Sequence, residues 1–596
     1  MTNFDRQPTT EEVRDRRVLD LTERVREIEQ RLIPTGLHVF GRATGERECA
    51  DLLRMVASFD RPEAGVRALP DLIAEGLATT NTKNSGAGAV NVAPSKKDDA
   101  TDILANEETL RARELIDEIA RDAVAIFLRE GKTVACRLLE SRANVPHDAS
   151  RPVFDLLEEV RERLQTNPEL DSLARALRGR YVEPGPGADI VQNPKVLPTG
   201  RNTHAINPYA VPSELAFARA EHVVNLLLER HTREHGRYPR ALALVLWGLD
   251  NIKTQGEGVA QALWLLGVRP VRDGLNRVTD VEPIPLAQLA RPRMDVVMTV
   301  SGIFRDLFSP TVGLLDLAVR RVAALDEPAE LNYVRRNILA QVETKTCDIE
   351  EASLRVFSNA PGNYGANVNF MVTGSQWETD DALAELFVAR KSFAYGTDAR
   401  GRRVEGREAS RAMNRALARV EATYQNIDSF EIGITDVDHY FEYLGGVSKA
   451  VEKQSAARPA IYLSDSLSRE AKVRSLEETV RLETRAKTLN PKWYEGMLKH
   501  GYRGVAEIEN RVTNTFGWSA TADAVDDWVY DEVAETFVLD EQMLARLRSL
   551  NPHSARALVA RLLEAAGRGF WRTEDDVLEK LRGIFDELED RIEGVA

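Results

Sequence analysis

The sequence predicts a large, multi-lobed α/β protein in which helices flank a parallel sheet and further helices form the N- and C-terminal regions. Two observations lead to this prediction. Between residues 214 and 400 apolar strands alternate with amphipathic helices, and ALALVLW (241–247) and RMDVVMTVS (293–301) are apolar almost throughout. Strands without a polar face are typical of parallel sheets that helices cover. The length of 596 residues leaves room for several domains.

The N-terminal third is predicted to be helical with irregular interruptions. Residues 1–78 are expected to form a helical region, with a helix at 11–33 where apolar side chains recur near a 3.6-residue period, and a short strand at 36–41. Residues 79–107 are predicted to form a flexible loop, because most of this segment is rich in Thr, Asn, Ser, Gly and Ala and shows no apolar periodicity. Helices resume in 108–212, a region that ends in a proline-rich segment.

Residues 213–400 are predicted to form the α/β core, and residues 401–596 a mostly helical region. The core elements expected from the pattern are the helices 214–235, 256–267 and 314–326 and the strands 241–247, 268–273 and 293–301. A further strand is expected at 430–436 and an amphipathic terminal helix at 574–592. Ligands of such sheets bind beyond the carboxyl ends of the strands, so the loops after the two long apolar strands are the first places to search for a site.

Composition excludes several classes of protein. Hydrophobic residues make up 43% of the chain and charged residues 29%, which are values of a globular protein. The formal net charge of −15 argues against a broadly basic surface, so no nucleic acid is expected as a partner. Three widely spaced cysteines disfavour zinc-ribbon, iron–sulfur and disulfide frameworks. The charged N terminus shows no signal peptide and the longest apolar run, at 241–249, is too short to span a membrane, so we expect a cytoplasmic protein without a transmembrane segment.

The familiar motifs of nucleotide-binding proteins and hydrolases do not occur in this sequence. It contains no GxxxxGK[ST], no GxGxxG after a strand, no HExxH and no GxSxG. The nearest approach to a phosphate loop is GKT at 131–133, but Ile126 stands at the position of the first glycine. If ATP drives the chemistry of this protein, another subunit should therefore hydrolyse it.

Five polar clusters stand where loops should leave apolar elements. They are WGLDNIKTQGEG (247–258), SGIFRDLF (301–308), FSNAPGNYGANVN (357–369), ITDVDHYFEYLGG (434–446) and NPKWYEGMLKHGYRG (490–504). Caps, turns, a buried ion pair between Arg305 and Asp306, and packing would each explain a cluster without any ligand. In the fourth cluster His439 and Glu442 are i and i+3 of a helix and face the same way. A carboxylate beside a histidine raises its basicity, and both side chains can ligate a divalent cation.

These clusters, in this order, resemble the large (H) subunit of magnesium chelatase. The matching stretches include IPTGLHVFG (33–41), PGPGADIVQNPKVLPTGRNTHA (184–205), LWGLDNIKTQGEGVAQALWLLGVRPV (246–271), RPRMDVVMTVSGIFRDLFSPTVGLLDLAV (291–319) and NRVTNTFGWSAT (510–521). The similarity covers most of the chain from about residue 20 and corresponds to the C-terminal half of the family's chains. The related cobaltochelatase large subunit shares 246–319, but NRVTNTFGWSAT together with DDWVYDEV (526–533) resembles the magnesium branch.

The resemblance implies a porphyrin-binding catalytic subunit that inserts Mg²⁺ into protoporphyrin IX during chlorophyll and bacteriochlorophyll biosynthesis. Mg²⁺ and protoporphyrin IX are then substrates, and partner subunits, an AAA+ ATPase and an integrin-like adaptor, use the ATP. A methyltransferase would receive the Mg-protoporphyrin, and a separate N-terminal half is a further expected partner because family members extend further towards the N terminus. Two alternatives stay open: a cobaltochelatase large subunit of cobalamin biosynthesis, and a porphyrin-binding or regulatory module without catalysis of its own.

Residue types within the matched motifs suggest individual roles. Metallation removes two pyrrole protons and places a strongly hydrated cation in the ring, so the site needs a base, a carboxylate for Mg²⁺ and cations that pair with the propionates. We expect His439 and Glu442, assisted by Asp436, to serve as base and to deliver the metal. The other expected roles are metal contact by Glu257 together with His439 and Glu442, propionate binding by Arg201, Lys253 or Arg305, and orientation of the ring by Asn202, Asn251 and Asn363.

Overall fold

The polypeptide folds into two compact units. The computed structural model describes residues 36–61, 64–84, 100–187, 189–191, 193–204, 206–397, 402–429, 431–465 and 471–595. The described residues of the first unit fall within 38–203, and those of the second within 34–37 and 204–596. The helix predicted at 11–33 lies outside the described residues.

Within its described ranges, the first unit consists of six helices and a small two-stranded sheet. The helices are Glu46–Ala57 (α1), Leu69–Asn84 (α2), Ala100–Glu130 (α3), Lys132–Ala143 (α4), His147–Gln165 (α5) and Glu169–Leu177 (α6). The strands Pro184–Pro186 (β1) and Asn202–His204 (β2) pair with each other. In α5, Val153, Leu157 and Val160 recur every three or four residues and are buried, so the helix turns one apolar face inwards.

Two predictions for this part of the chain need correction. Residues 36–41 form no strand, and Gly41 has a φ of +83°, a left-handed conformation that ends regular extended structure. The loop predicted at 79–107 is helical at both described ends, since 79–84 complete α2 and 100–107 begin α3. Ala, Leu and Glu in the second of these stretches are good helix formers, which explains its conformation. The residues between them lie outside the described part of the chain.

A sheet that has eight strands within the described ranges forms the centre of the second unit. The strands of this unit are Ala241–Leu246 (β3), Val268–Arg272 (β4), Val278–Pro283 (β5), Asp295–Val300 (β6), Val356–Ser358 (β7), Phe393–Thr397 (β8), Arg403–Glu408 (β9), Ala422–Ile427 (β10), Ala460–Asp465 (β11) and Lys472–Ser475 (β12). The sheet order is β12-β11-β10-β3-β6-β7-β8-β9. The central strands from β11 to β7 run parallel, whereas β12, β8 and β9 run antiparallel to their neighbours.

The two strands that the sequence marks most clearly, β3 and β6, lie side by side at the centre of this sheet. Both are buried along their whole length. They pair in register from Ala241 opposite Asp295 to Leu246 opposite Val300. Their apolar side chains are part of a core that also takes in residues of the flanking helices, such as Leu263. The predicted fold class, a largely parallel sheet flanked by helices, is therefore confirmed.

Helices flank the sheet and make up the C-terminal part of the chain. They are Glu214–His235 (α7), Gly248–Lys253 (α8), Glu257–Leu266 (α9), Leu286–Leu289 (α10), Gly302–Leu307 (α11), Ser309–Ala323 (α12), Tyr333–Glu343 (α13), Ile349–Ala352 (α14), Val368–Thr373 (α15), Asp380–Lys391 (α16), Ser410–Leu417 (α17), Asp438–Tyr440 (α18), Gly446–Ser455 (α19), Leu476–Glu483 (α20), Pro491–Leu498 (α21), Tyr502–Ala522 (α22), Asp527–Ala534 (α23), Glu541–Leu550 (α24), Pro552–Gly567 (α25) and Asp575–Glu593 (α26). Short π-helical turns occur at Phe441–Gly445, Thr484–Thr488 and Glu535–Leu539. Among the described helices, none combines the length and the apolar composition that crossing a membrane requires.

Two of the predicted strands differ from the structure, and the sheet extends further along the chain than expected. The strand expected at 268–273 exists as β4, but it pairs with β5 in a separate hairpin. No strand forms in the described part of 430–436, and the true strand in this region is β10. Its polar side chains are buried and satisfied by hydrogen bonds: Thr423 bonds to Ser448 on α19 at 2.7 Å, and Asn426 accepts a hydrogen bond from Ser464 on β11. The α/β core therefore continues to β12 at residue 475 instead of ending near 400.

Candidate functional site

The loops that follow the central parallel strands meet at the carboxyl edge of the sheet. Trp247, Ser301, Asn359 and Asp428 each come directly after a strand, namely β3, β6, β7 and β10. The first two loops touch, since the amide of Gly248 donates a hydrogen bond to Ser301 Oγ at 3.2 Å. This is the edge at which parallel α/β sheets bind ligands.

His439 and Glu442 form a hydrogen-bonded pair beside this edge. His439 Nδ1 lies 2.9 Å from Glu442 Oε2. The other carboxylate oxygen, Oε1, accepts the backbone amides of Ala366 at 2.5 Å and Asn367 at 2.6 Å. The side chain of Glu442 is 1% exposed while that of His439 is 57% exposed. A buried, fully bonded carboxylate thus holds a histidine whose ring reaches solvent.

This contact defines the chemistry available to His439. The hydrogen bond to Glu442 is the main cause that raises the pKa of His439, and the nearby Asp438 adds to it against the opposing effect of burial. Because a carboxylate only accepts, Nδ1 carries the proton of the neutral ring, which leaves the lone pair on Nε2. Nε2 has no hydrogen-bond partner within the part of the chain that the structure describes. The pair is therefore arranged as an oriented general base.

Gly365 explains how the loop after β7 approaches Glu442 so closely. Its φ is +70°, and a Cβ atom at this position would lie 3.1 Å from Glu442 Oε1. Any larger residue would be strained in this conformation and would crowd the carboxylate. Gly365 of the third polar cluster thus lets the next two backbone amides reach the carboxylate of Glu442.

Asp436, the third member of the expected catalytic group, has different partners. Its carboxylate pairs with Lys487 at 2.8 Å and with Arg511, and it accepts the amide of Gly433 at 2.6 Å. Burial lowers the pKa of Arg511 to about 9, and its guanidinium stacks over Trp493. These contacts anchor the loop before α18 to the C-terminal helices. The assisting role proposed for Asp436 can therefore only be indirect in this arrangement.

Arg305 is bonded entirely within the protein. It is 5% exposed, and its Nε and Nη2 atoms contact Asp306 at 2.7 and 3.0 Å. Its Nη1 atom donates to the carbonyls of Asn359, Ala360 and Asn363 at 3.0–3.2 Å. The guanidinium thus holds the loop after β7 by its backbone, and a propionate would have to replace one of these bonds. The side chain of Asn363 itself is exposed.

The variant Arg305→Ala is expected to loosen this loop. Removing the guanidinium leaves the carbonyl of Asn363 without its described donor and takes one of two donors from those of Asn359 and Ala360, so we expect a loss of about 2 kcal/mol in unfolding free energy. Urea unfolding and amide exchange across 359–365 measure the effect. The control is Arg269→Ala, whose exposed ion pair with Glu282 should contribute less than about 1 kcal/mol. Unchanged exchange in the loop of the Arg305 variant would contradict this assignment.

Asn251 and Lys253 brace the loop after β3. Asn251 is fully buried, donates to the carbonyl of Trp247 at 2.7 Å and accepts the amide of Val259 at 3.2 Å. Lys253 Nζ lies 3.1 Å from Asp428 Oδ2, so it ties the loops after β3 and β10 together. The structure thus gives Asn251 an internal role, whereas Lys253 stays partly accessible.

Three carboxylates gather where these loops meet. Asp250 and Glu257 are almost completely buried, and Asp428 lies beside them. Burial is the main cause that raises the pKa of Asp250 well above its usual value, and the negative charges of Asp428 and Glu257 add to it. Among the described residues the buried Oδ1 atom of Asp250 has no hydrogen-bond partner, so a proton or a cation at this position would relieve its burial cost.

Asp250 and Asp428 were not among the residues singled out by the sequence. Their signal was available, because Asp250 lies in the first polar cluster, but only the fold brings the strand end at 428 next to it. Among the described residues, no group of three or more His, Cys, Asp or Glu side chains has the geometry of a metal site.

Exposed apolar side chains lie on the segments that follow the strands β3, β6, β7 and β10. We call Leu249, Ile303, Tyr364, Phe370 and Ile432 the apolar rim; their exposed fractions range from 43% to 67%. Ile303 lies against Gly248, and Tyr364 lies against Gly302, so the loops after β3, β6 and β7 share this surface. Large exposed apolar groups around polar residues are typical of binding sites. Sequence inspection missed the rim because it weighed only the polar members of each cluster.

Arg201 and Asn202 belong to the first unit. The guanidinium of Arg201 donates to the carbonyls of Pro198, at 3.2 Å, and of Lys195, at 2.7 Å. Among the described residues, it has no carboxylate partner. Asn202 donates to the carbonyl of Val182 at 3.4 Å. Both side chains thus support the turns of the proline-rich segment in which they lie.

Comparison with known proteins gives a consistent result. The family described as CobN/Magnesium Chelatase matches residues 2–578. The chloroplastic magnesium-chelatase protein ChlH of Oryza sativa subsp. indica is 44% identical over 599 residues, which cover 96% of this chain and 42% of that protein. The H subunit of magnesium chelatase from Cereibacter sphaeroides is 46% identical over 505 residues, which cover 81% of this chain and 41% of that protein. The chain thus spans less than half the length of these relatives.

A solved structure shows the same fold. The catalytic subunit of cobaltochelatase from Mycobacterium tuberculosis matches with a TM-score of 0.84 at 34% identity, over 98% of this chain and 47% of that chain. Sequence identity is therefore higher to the two magnesium-chelatase subunits than to this cobaltochelatase. The family match over nearly the whole chain, the similarity to these relatives and the shared fold establish that this protein belongs to the CobN/magnesium chelatase family.

Proposed function

We propose that this chain is the porphyrin-binding catalytic part of an ATP-dependent magnesium chelatase that inserts Mg²⁺ into protoporphyrin IX. The observation that supports this most directly is the exposed imidazole of His439, oriented by the buried Glu442 at the sheet edge that also bears the apolar rim. A planar, apolar macrocycle needs such a surface, and removal of its pyrrole protons needs such a base. The higher identity to magnesium-chelatase subunits favours Mg²⁺ over Co²⁺ as the metal substrate.

In the proposed reaction each of these groups has one task. His439 Nε2 accepts the first pyrrole proton, releases it to solvent from its exposed ring and then accepts the second, while Glu442 keeps Nδ1 protonated and stabilises the imidazolium that forms each time. Single carboxylates of the acidic cluster, those of Asp250, Glu257 or Asp428, would replace water around Mg²⁺ one at a time before it enters the ring, since the three together do not have the geometry of a metal site. Ion transfer thus proceeds from a buried acidic cluster to a ring held on the apolar rim.

Propionate binding by cations remains part of the proposal. Lys253 would move from Asp428 to a propionate, which would also release that carboxylate for the metal. Arg305 acts as a positioning residue through the carbonyls that it holds. The roles expected for Arg201, Asn202 and Asn363 in holding the ring stay predictions.

The partners follow from the same proposal. No phosphate loop occurs in the sequence, so an AAA+ ATPase subunit and an integrin-like adaptor would hydrolyse ATP and drive this subunit. A methyltransferase would take the product, and a separate N-terminal half stays a predicted partner. The cytoplasmic location expected from the sequence stays a prediction.

Reconstitution tests the function. The chain is mixed with the ATPase and adaptor subunits, ATP, Mg²⁺ and protoporphyrin IX, and fluorescence follows Mg-protoporphyrin, with quenching of tryptophan fluorescence as the measure of porphyrin binding. We expect binding by the chain alone and ATP-dependent insertion in the mixture. Porphyrin binding without insertion, even with an N-terminal half added, would favour the non-catalytic regulatory module. Insertion of Co²⁺ into a corrinoid precursor but not of Mg²⁺ into protoporphyrin would show a cobaltochelatase instead.

The pH dependence of insertion should report on His439. Its pKa is raised above 6.5 chiefly by Glu442, and only the deprotonated ring is a base, so the rate should increase with pH through an inflection above 6.5. Asp438 lies 3.7 Å from Nδ1 and also raises this pKa. Asp438→Asn should therefore shift the inflection to lower pH in a kcat/KM profile, whereas Asp586→Asn on the distant helix α26 should not. An inflection that stays in place in the Asp438 variant would contradict the assignment.

A further inference from the structure

A cavity lies at the opposite edge of the sheet from the carboxylate–histidine pair. Its volume is about 560 Å³, which is within the usual range for small-molecule sites. Its wall includes Arg240, Glu421 and Ala460, which stand at the amino ends of the parallel strands β3, β10 and β11. These strands are six residues long, so the two edges are separated by about 20 Å. The cavity is therefore distinct from the proposed chelatase site.

Arginines dominate the wall of this cavity. They are Arg237, Arg240, Arg336, Arg419 and Arg458, and they come from the loop before β3, from α13, from the loop before β10 and from the loop before β11. Glu421 is the acidic residue among the lining residues. The chain as a whole has a net charge of −15, so a concave concentration of positive charge is contrary to its average surface. Such a cavity attracts anions.

Some of these arginines already have partners within the protein. Arg237 pairs with Glu421 at 2.7 Å, and Arg458 pairs with Asp523 at 2.9 Å. Arg419 donates to the carbonyl of Arg415 at the C-terminal end of α17, where a cation is favoured by the helix dipole. The neighbouring His231 is neutral at physiological pH, since burial lowers its pKa to about 4. Glu421 is thus compensated inside the protein.

Arg240 and Arg336 are different. Both are exposed into the cavity, and neither side chain makes a hydrogen bond or salt bridge with any described residue. Arg419 has no carboxylate partner among the described residues either, and burial beside the positive Arg355 lowers its pKa. The charges of Glu421 and Asp295 act on Arg240 and Arg419, but both carboxylates are already paired, with Arg237 and Arg355. Three guanidinium groups therefore face one small space without a described carboxylate bonded to any of them.

We propose that this cavity binds a small anion with two or more phosphate groups, held by Arg240, Arg336 and Arg419. Guanidinium forks match phosphate oxygens in pairs, and three forks from separate elements suit an anion with several charged groups better than a single carboxylate. The size of the cavity leaves room for an organic portion against Ala340, Val420 and Pro459. Such a ligand would contact the ends of three adjacent strands, of which β3 and β10 bear site loops at their other ends.

Calorimetric titration of the full chain with inorganic pyrophosphate and with ADP, without Mg²⁺ and at physiological ionic strength, tests the proposal. We expect saturable 1:1 binding of both; tighter binding of ADP would show that the organic part is also recognised, and equal binding would show that the phosphates suffice. Arg240→Gln and Arg336→Gln should each weaken binding by about 10-fold, as expected for a lost charged hydrogen bond. Neither side chain has a partner to lose in the described chain, so both variants should fold normally.

The control variant is Arg582→Gln, an exposed arginine on α26, which should bind as the unchanged chain does. No binding of either phosphate compound would overturn the proposal. Affinities in the double variant Arg240→Gln/Arg336→Gln equal to those of the unchanged chain would do so as well. Binding of an octaglutamate peptide at this cavity without binding of pyrophosphate would also reject it, because the cavity would then serve as a contact for an acidic protein segment.

Discussion

Glu442→Gln is expected to reduce magnesium insertion by about 10²–10⁴-fold while porphyrin binding stays within a few-fold of normal. The substituted amide keeps an oxygen that can accept the backbone amides of Ala366 and Asn367, so the loop after β7 should stay in place. Its NH₂ group then faces His439 Nδ1 and donates to it. His439 must carry its proton on Nε2 instead, and the lone pair that would accept the pyrrole proton is gone.

Two further variants separate orientation from architecture. Glu442→Ala removes the acceptor of both backbone amides, so it should lose stability as well as activity, whereas the Gln variant should lose activity alone. His439→Ala should match the Gln variant in rate. Glu579→Gln, an exposed residue of α26, is the control for the general effect of removing a negative charge. Normal insertion rates in the Gln variant at Glu442 would remove His439 from the mechanism.

The largest loss of stability is expected from Asp295→Ala. Asp295 and Arg355 are 2% and 1% exposed, and they form a bidentate pair at 2.8 and 3.0 Å where β6 and β7 begin. Asn337 donates to the same carboxylate at 3.0 Å. Removal of the carboxylate leaves a buried, uncompensated guanidinium, which costs about 3–5 kcal/mol. Urea unfolding followed by tryptophan fluorescence measures this loss.

The matched control replaces both partners. Asp295→Leu combined with Arg355→Met leaves no buried charge and roughly conserves volume, so the double variant should be clearly more stable than Asp295→Ala. This comparison distinguishes the cost of an orphaned charge from the value of the ion pair itself. A single variant that loses less than about 1 kcal/mol would show that Arg355 finds water or another acceptor.

The elements that the sequence predicts best are those with local signals. Helix α7 is predicted with its bounds, because Ser213 caps its start by accepting the amide of Ala216, and Gly236 ends it with a φ of +73°. Strands β3 and β6 are recognisable because both faces are apolar. Strand β10 escapes prediction, since Thr423, Gln425 and Asn426 give it a polar composition that only tertiary hydrogen bonds can satisfy.

The candidate site shows the same division. The spacing of His439 and Glu442 in one helical turn is enough to expect their contact, and the structure shows it at 2.9 Å. The anchoring of Glu442 by Asn367 joins residues 75 positions apart, and the burial of Arg305 by loop carbonyls joins residues more than 50 apart. Residue type suggests a ligand role for Arg305. A guanidinium, however, donates hydrogen bonds to backbone carbonyls as readily as it donates them to a propionate.

The π-helical turn at Phe441–Gly445 has a consequence for how this site can change. A π turn contains one residue more than an α-helical turn, so the faces before and after it are rotated by about 100° relative to an uninterrupted helix. Glu442, within the turn, faces the loop at 365–367, while Ser448, just beyond the turn, still reaches Thr423 in the sheet. Because of this one extra residue, the orientation of the His439–Glu442 pair does not depend on how α19 packs on the sheet. A substitution could therefore change one of the two without changing the other.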